Sequence, residues 1–199
     1  MKVLFITHYK PCISGYADYA YNLLRSLNRA VGQGLEFEVL GCKCNTVNKT
    51  DREVVTDGSV KIVIKRIWKK NSILSLIKII GSIVRDSKGT KSALYIYYPL
   101  EFFANFLAAS LFNLLLPLLF IPIVILLKMK LVVDLDNIHK PSRLTPPQKM
   151  YMILQLAVLR LLEKSLGATI VCRNILMRAL LLKNGFSEGR VIYIPHGFS

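Results

Sequence analysis

Residues 166–195 read LGATIVCRNILMRALLLKNGFSEGRVIYIP, and this stretch decides the fold. Ala168 to Cys172 is a short apolar run of strand length. Ile175 to Lys183 carries a helical pattern closed by Asn184-Gly185, a pair suited to the left-handed turn that ends helices. Val191 to Ile194 is a second apolar run, stopped by Pro195. A buried strand, a helix and another buried strand in succession make a crossover unit with parallel strands.

The same alternation extends toward the amino terminus. Val3 to Ile6 is a continuous apolar run, followed by a loop from His8 to Gly15 with Pro11 and Gly15 as breakers. Ala20, Leu23, Leu24, Leu27 and Val31 then mark one face of a helix, stopped by Gly32 and Gly34. Further strands are expected over Phe37 to Leu40, Val60 to Ile67, Ala93 to Tyr98 and Leu131 to Leu135. Lys61, Lys65 and Arg66 interleave the third strand and put it near an edge or rim. Ile73 to Val84 and Tyr151 to Leu166 read as helices, the latter entered after Pro146 and Pro147. The expected fold is α/β: a Rossmann-like parallel sheet of about seven strands with helices on both faces, forming a single domain over residues 1–199. Ligands of such sheets bind outside the carboxyl ends of the strands. The loops after the first, fourth, fifth and seventh strands are therefore the places to look for chemistry.

The chain has 199 residues, 53% apolar and 20% charged, enough for one sizeable core and too apolar for disorder. Cys12, Cys42, Cys44 and Cys172 are scattered, and Cys42-Lys43-Cys44 is not a zinc spacing. They read as free thiols of a reducing compartment rather than a disulfide scaffold. No signal peptide opens the sequence, so the sequon at Asn48-Lys49-Thr50 reads as chance. Lys and Arg number 27 against 12 Asp and Glu, a net charge of +15, which seeks anions. With a mean hydropathy of +0.42, that charge points first to an anionic membrane surface. Nucleic acid is excluded as a partner: no stacking platform or recognition module accompanies the charge.

Phe102 to Leu127 holds 26 residues without a charge. A membrane span would split the fourth and fifth strands across the bilayer and break the sheet. One buried helix of that length would run about 39 Å, roughly twice a usual strand. Pro117 and Pro122 favour a broken element instead: a helix to about Leu116, then a greasy bend from Pro117 to Leu127 that dips into the membrane interface. Lys128 and Lys130 suit anionic headgroups, and Arg66, Lys69, Lys70 and Lys78 with Trp68 could extend that surface or form a solvated face. The expected location is cytoplasmic, peripheral or monotopic on the cytoplasmic face.

In the first loop, Gly15 at the entrance to a helix lets a phosphate reach backbone N–H groups, although such a glycine also serves as a plain turn. Neither Gly-x-Gly-x-x-Gly nor a Walker lysine motif occurs, so ordinary dinucleotide and P-loop readings fall away. Three stretches act together: residues 1–9 with Pro11, Ser14-Gly15 and the helix to Leu27; Leu131 to His139; and Leu162 to Ala168 running through Ile194-Pro195-His196-Gly197-Phe198-Ser199. In this order and spacing they resemble the N-terminal half of the retaining, GT-B fold glycosyltransferases of family 4. The closing segment is the most specific, with His196 where the family usually has Asn.

The resemblance implies an acceptor-side domain of a retaining sugar transfer from a nucleotide-sugar, the co-substrate, to a glycan or lipid-linked acceptor. It implies no cofactor and no metal. Ser14 and Gly15 would meet the donor phosphates, His8, Tyr9 and Asn137 the acceptor, and Asp136 and His139 the reacting groups. Two departures stand out. Ser14-Gly15 replaces the family's Gly-Gly, and Asp136-Asn137 replaces its His-Asp, with His139 following later. Asp136 could equally cap the next turn, and His139 could be a surface loop residue. The family's C-terminal donor-binding domain is expected to be absent from this chain and supplied by a separate one. The alternative is a non-catalytic membrane-docking or scaffolding module.

Overall fold

Apolar strands and amphipathic helices fold into one sheet in the computed structural model, which describes residues 1–8, 15–31, 35–43, 52–57, 60–69, 71–98, 109–135 and 145–195. The strands are β1 (Lys2–Thr7), β2 (Glu36–Cys42), β3 (Arg52–Asp57), β4 (Val60–Trp68), β5 (Ser92–Tyr98), β6 (Lys130–Leu135), β7 (Thr169–Cys172) and β8 (Val191–Tyr193). The helices are α1 (Gly15–Val31), α2 (Ile73–Ser87), α3 (Ala109–Leu115), α4 (Ile121–Leu126), α5 (Pro146–Leu166) and α6 (Ile175–Lys183). The sheet runs β3-β4-β2-β1-β5-β6-β7-β8, and every pair is parallel except β3 with β4.

The expected Rossmann-like α/β class is the one observed, with one strand more than anticipated. The addition is β3, whose Arg52, Glu53, Thr56 and Asp57 leave no continuous apolar run to read. An antiparallel edge strand needs none, because one side of it faces water. It also moves β4 one place in from the edge.

Strand residues alternate between two cores, as a period of two requires. Val3, Phe5, Phe37, Val39, Ile62 and Ile64 pack under Ala20 and Leu24 of α1. Leu4, Ile6, Leu40, Leu94, Ile96, Val133 and Ile170 face the other way, where Ile79 and Ile83 of α2, Leu114 of α3, Val124 of α4, Leu159 of α5 and Leu181 of α6 meet them. The chain steps from β1 to β2 in one direction and from β5 to β8 in the other. One handedness of crossover then demands opposite faces for α1 and the later helices. The switch in direction falls between β1 and β5.

Local signals set the helix ends. Helix α5 starts at Pro146, earlier than the sequence pattern suggests, because proline fits a first helical turn. Thr145 and Gln148 form a capping box there. Asn184 caps α6, and Gly185 follows at φ +79°.

The uncharged run breaks at its prolines. Helix α3 gives way to a 3-10 segment, Leu116–Phe120, with Pro117 buried, and α4 starts with Pro122 in its first turn. No helix among the described residues is long and apolar enough to cross a membrane. Residues 102–108 lie outside the described residues, as do Cys12, Cys44, the 48–50 sequon and the closing residues 196–199.

Two members of the expected basic surface cluster are inside instead. A register shift at Gly41/Cys42 sets Trp68 opposite Cys42, on the helix-rich side. Trp68 is fully buried, and its indole Nε1–H donates to the Leu40 carbonyl at 2.9 Å. Arg66 is buried as well and donates to Glu53 at 2.7 Å. Cys42 and Cys172 are buried thiols.

Gly167 closes α5 in the left-handed region at φ +60°, and its carbonyl accepts from Arg190 at 2.6 Å. A Cβ there would sit 3.1 Å from the Arg190 guanidinium. Gly167→Ala is expected to cost about 1 kcal/mol or somewhat more, read as a lower urea midpoint with an unchanged slope.

Candidate functional site

The carboxyl edge of the sheet carries two groups of polar side chains, one on each face. On the helix-rich side, His8 follows directly on β1 and continues the facing of Leu4 and Ile6. Its half-buried ring stands edge-on to Trp68, with centroids 5.1 Å apart and planes at 72°. Thr7 Oγ1 donates to the His8 carbonyl at 3.1 Å. At the end of β5, buried Tyr98 donates its hydroxyl to the Leu114 carbonyl of α3 at 3.1 Å. Burial, with a smaller contribution from Tyr151, holds the Tyr98 phenol protonated far above its ordinary range.

On the α1 side lies a buried ionic cluster that crosses three strands. Asp134 on β6 is wholly enclosed. Arg173, directly after β7, grips it as a two-pronged fork: Nε–H to Oδ1 at 3.0 Å and Nη2–H to Oδ2 at 2.8 Å. Arg173 Nη1–H also donates to the Tyr97 hydroxyl at 3.2 Å. Tyr95 donates its hydroxyl to Asp134 Oδ2. The guanidinium carbon lies 3.4 Å from the centroid of the Tyr19 ring of α1 and 4.7 Å from that of Tyr97. A planar cation packed against aromatic rings is a stable arrangement in a low-dielectric site.

The cluster shifts its own ionisations. Burial and the neighbouring Asp134 charge push the Tyr19 phenol up to about 12. Burial and the same charge raise Tyr95 further. Burial works against the charged form of Arg173, but its bonds to Asp134 outweigh that and hold the proton more tightly. The shifts of Tyr19, Tyr95 and Arg173 all run upward, away from neutral pH. The cluster instead fixes where the β6 and β7 chains leave the sheet.

That is its connection to the expected site. Asp134 stands two residues before Asp136 in the sequence, so the clamp fixes the end of β6 that precedes Asp136, Asn137 and His139. Those three residues, and Tyr9 and Ser14, lie outside the described residues. Gly15 is the first residue of α1, as a helix-start role requires. His8 is the one expected site side chain that is described, and it lies across the sheet from the ionic cluster. Among the described residues, no group of His, Cys, Asp or Glu could hold a metal ion.

Sequence reasoning missed Arg173 and gave Asp134 no partner. A signal was present: one charged residue inside the apolar run Leu131 to Leu135, and another ending the run Thr169 to Cys172. Burial pushes the nearby Cys172 thiol up, which makes it a poor nucleophile. Comparison with protein-family models and with curated proteins finds no match.

Breaking the clamp on one side strands a buried charge. Arg173→Met is expected to cost about 3–5 kcal/mol in urea unfolding, and the double variant Asp134→Leu/Arg173→Met less than that. The raised Tyr19 pKa has a defined sign. An unfolded tyrosine loses its proton first, so this stabilisation is full below about pH 10 and lost as pH climbs toward about 12. Tyr19→Phe should flatten the fall in stability across that alkaline window.

Proposed function

We propose that this chain is the acceptor-side half of a membrane-associated retaining glycosyltransferase of the GT-B type. It moves a sugar from a nucleotide-sugar to an acceptor, a lipid-linked glycan in the first instance, at the cytoplasmic face of an anionic membrane. The observation that carries the reading is the doubly wound sheet with its switch point between β1 and β5, and with α1 opening at Gly15. Ligands of open α/β sheets gather at such a point, and a helix start there favours an anion.

The chemistry assigned to the chain is positional and electrostatic. Cleavage of the donor develops negative charge on the departing diphosphate, which the backbone N–H groups beginning at Ser14 and Gly15 stabilise. Asp136 accepts a hydrogen bond from the acceptor's sugar hydroxyl, His139 is assigned to the reacting groups with it, and His8, Tyr9 and Asn137 orient the acceptor. The Asp134–Arg173 clamp holds the carboxyl end of β6, two residues before Asp136 in the sequence. A second reading, a non-catalytic docking or scaffolding module, is favoured by one observation: Asp136-Asn137 stands where the resembled family has His-Asp.

The test combines the purified chain with a donor-binding GT-B domain and follows sugar transfer from labelled nucleotide-sugars to lipid extracts. The chain alone should give no transfer, and the combination should. Gly15→Val should lower the combined rate on the order of a hundredfold while the far-ultraviolet spectrum stays native. Asp136→Asn should also lower it, separating charge from shape. Full turnover by the isolated chain, or unchanged turnover in Gly15→Val, would overturn the assignment.

A further inference from the structure

The helix-rich face leaves a continuous apolar surface uncovered. Phe112, Leu115, Leu119 and Leu126 recur three to seven residues apart through α3, the 3-10 segment and α4, and all are exposed, Leu126 by 78%. Phe112, Leu115, Leu116 and Leu119 also line an almost wholly apolar groove of about 210 Å³. On the same face of the sheet, the first turns of α2 expose Ile73, Leu74 and Ile77 by 69%, 71% and 60%. Helix α5 adds exposed Met150 and Ile153. Soluble surfaces carry isolated apolar residues, but rows of them on neighbouring elements signify a contact.

Charge identifies what that contact meets. Lys69, Lys78, Lys128 and Lys149 are exposed around these rows. Between Lys69 and Ile153, the described residues expose no carboxylate. Asp86 is held by Lys65 at 2.8 Å, and Asp134 is buried under Arg173. Each crossover helix begins at the carboxyl edge of the sheet and ends at its amino edge. Lys69 and Lys149 therefore sit at one end of the helical layer, and Lys128 at the other. Cations at both ends of an uncharged surface match a plane of lipid phosphates above acyl chains.

We infer that the outer surface of the α2–α3–α4 layer is a broadside docking face for an anionic bilayer, with α2 as its second anchor and the helix axes lying in the plane of the membrane. This rests on the membrane reading given above and extends it from the run around Pro117 to Leu127 to Ile73, Leu74 and Ile77. It also turns the carboxyl edge of the sheet sideways to the lipid, so an acceptor on a lipid tail reaches the β1 and β5 ends without leaving the bilayer.

Co-sedimentation of the full chain with vesicles tests this without any transfer reaction, so its outcome is independent of the glycosyltransferase assignment. The probes are phosphatidylcholine vesicles with and without phosphatidylglycerol. The chain should pellet with the anionic vesicles and be partly released by salt, because the lysine attraction is screened over about 8–10 Å near physiological ionic strength while the apolar contact is not. Leu74→Ser/Ile77→Ser and Leu119→Ser/Leu126→Ser should each weaken partitioning on the order of tenfold. Lys78→Glu, which touches no core, should weaken it as well. Ile192→Ser, on the opposite face of the sheet, should leave it unchanged. The inference is overturned by a wild-type chain that stays in solution with anionic vesicles, or by an α2 variant that binds like wild type. Equal loss in Ile192→Ser overturns it too. Pelleting without vesicles that the α2 variant abolishes would assign the face to a second copy of the chain instead.

Discussion

The buried carboxylate of Asp134 is the constraint around which the carboxyl edge of this sheet is organised. An enclosed, unpaired carboxylate is prohibitively costly, so the fold is stable only where a cation can reach it. Arg173 supplies that cation from the end of β7, Tyr95 supplies a hydroxyl from β5, and Tyr19 lays its ring over the guanidinium from α1. Four elements far apart in sequence are thereby brought to one point. Compared with an apolar replacement the pair contributes little stability. What it contributes is register: a sliding of β6 against β7, or a rotation of α1, would leave a charge alone in the core.

The two faces of the sheet are unequal for a topological reason. The chain turns away from β1 twice, and a single crossover handedness sends α1 to one face and α2 to α6 to the other. The face with many helices must enclose its strands and still end in an outer surface. Here that surface remains apolar along α2, α3 and α4 rather than becoming charged. The break at Pro117 and Pro122 keeps the segment short enough to lie over the sheet, with Leu114, Leu116, Phe120 and Val124 turned inward and Phe112, Leu119 and Leu126 outward.

Glu163 shows how a charge is fitted elsewhere in the helical layer. It is buried on α5, and its carboxylate accepts from the Ser187 backbone N–H at 2.7 Å. Burial alone would raise its pKa, yet the bonds from Ser187 prevail and lower it. The bond ties α5 to the turn entering β8, so the last crossover is anchored by a polar contact as well as by Phe186 and Leu181 in the core.

Local sequence was enough for the α/β class, for seven of the eight strands, and for the span of α6 with its close at Asn184-Gly185. Those features rest on local physics: apolar runs with a period of two, a helical period of 3.6, and capping residues beside their own backbone. It also singled out Pro117 and Pro122 as breaks, because proline's missing N–H acts on its own helix. The tertiary structure alone decided the rest. Edge strand β3 has no apolar signature, since its partner β4 provides its only neighbour in the sheet. Trp68 and Arg66 read as surface residues until a register shift at Gly41/Cys42 and the carboxylate of Glu53 bring them inside. Asp134 and Arg173 are 39 positions apart, and no local pattern joins them. They meet because β6 and β7 are parallel neighbours whose carboxyl ends coincide, and an ion pair of that kind exists only once the sheet has formed.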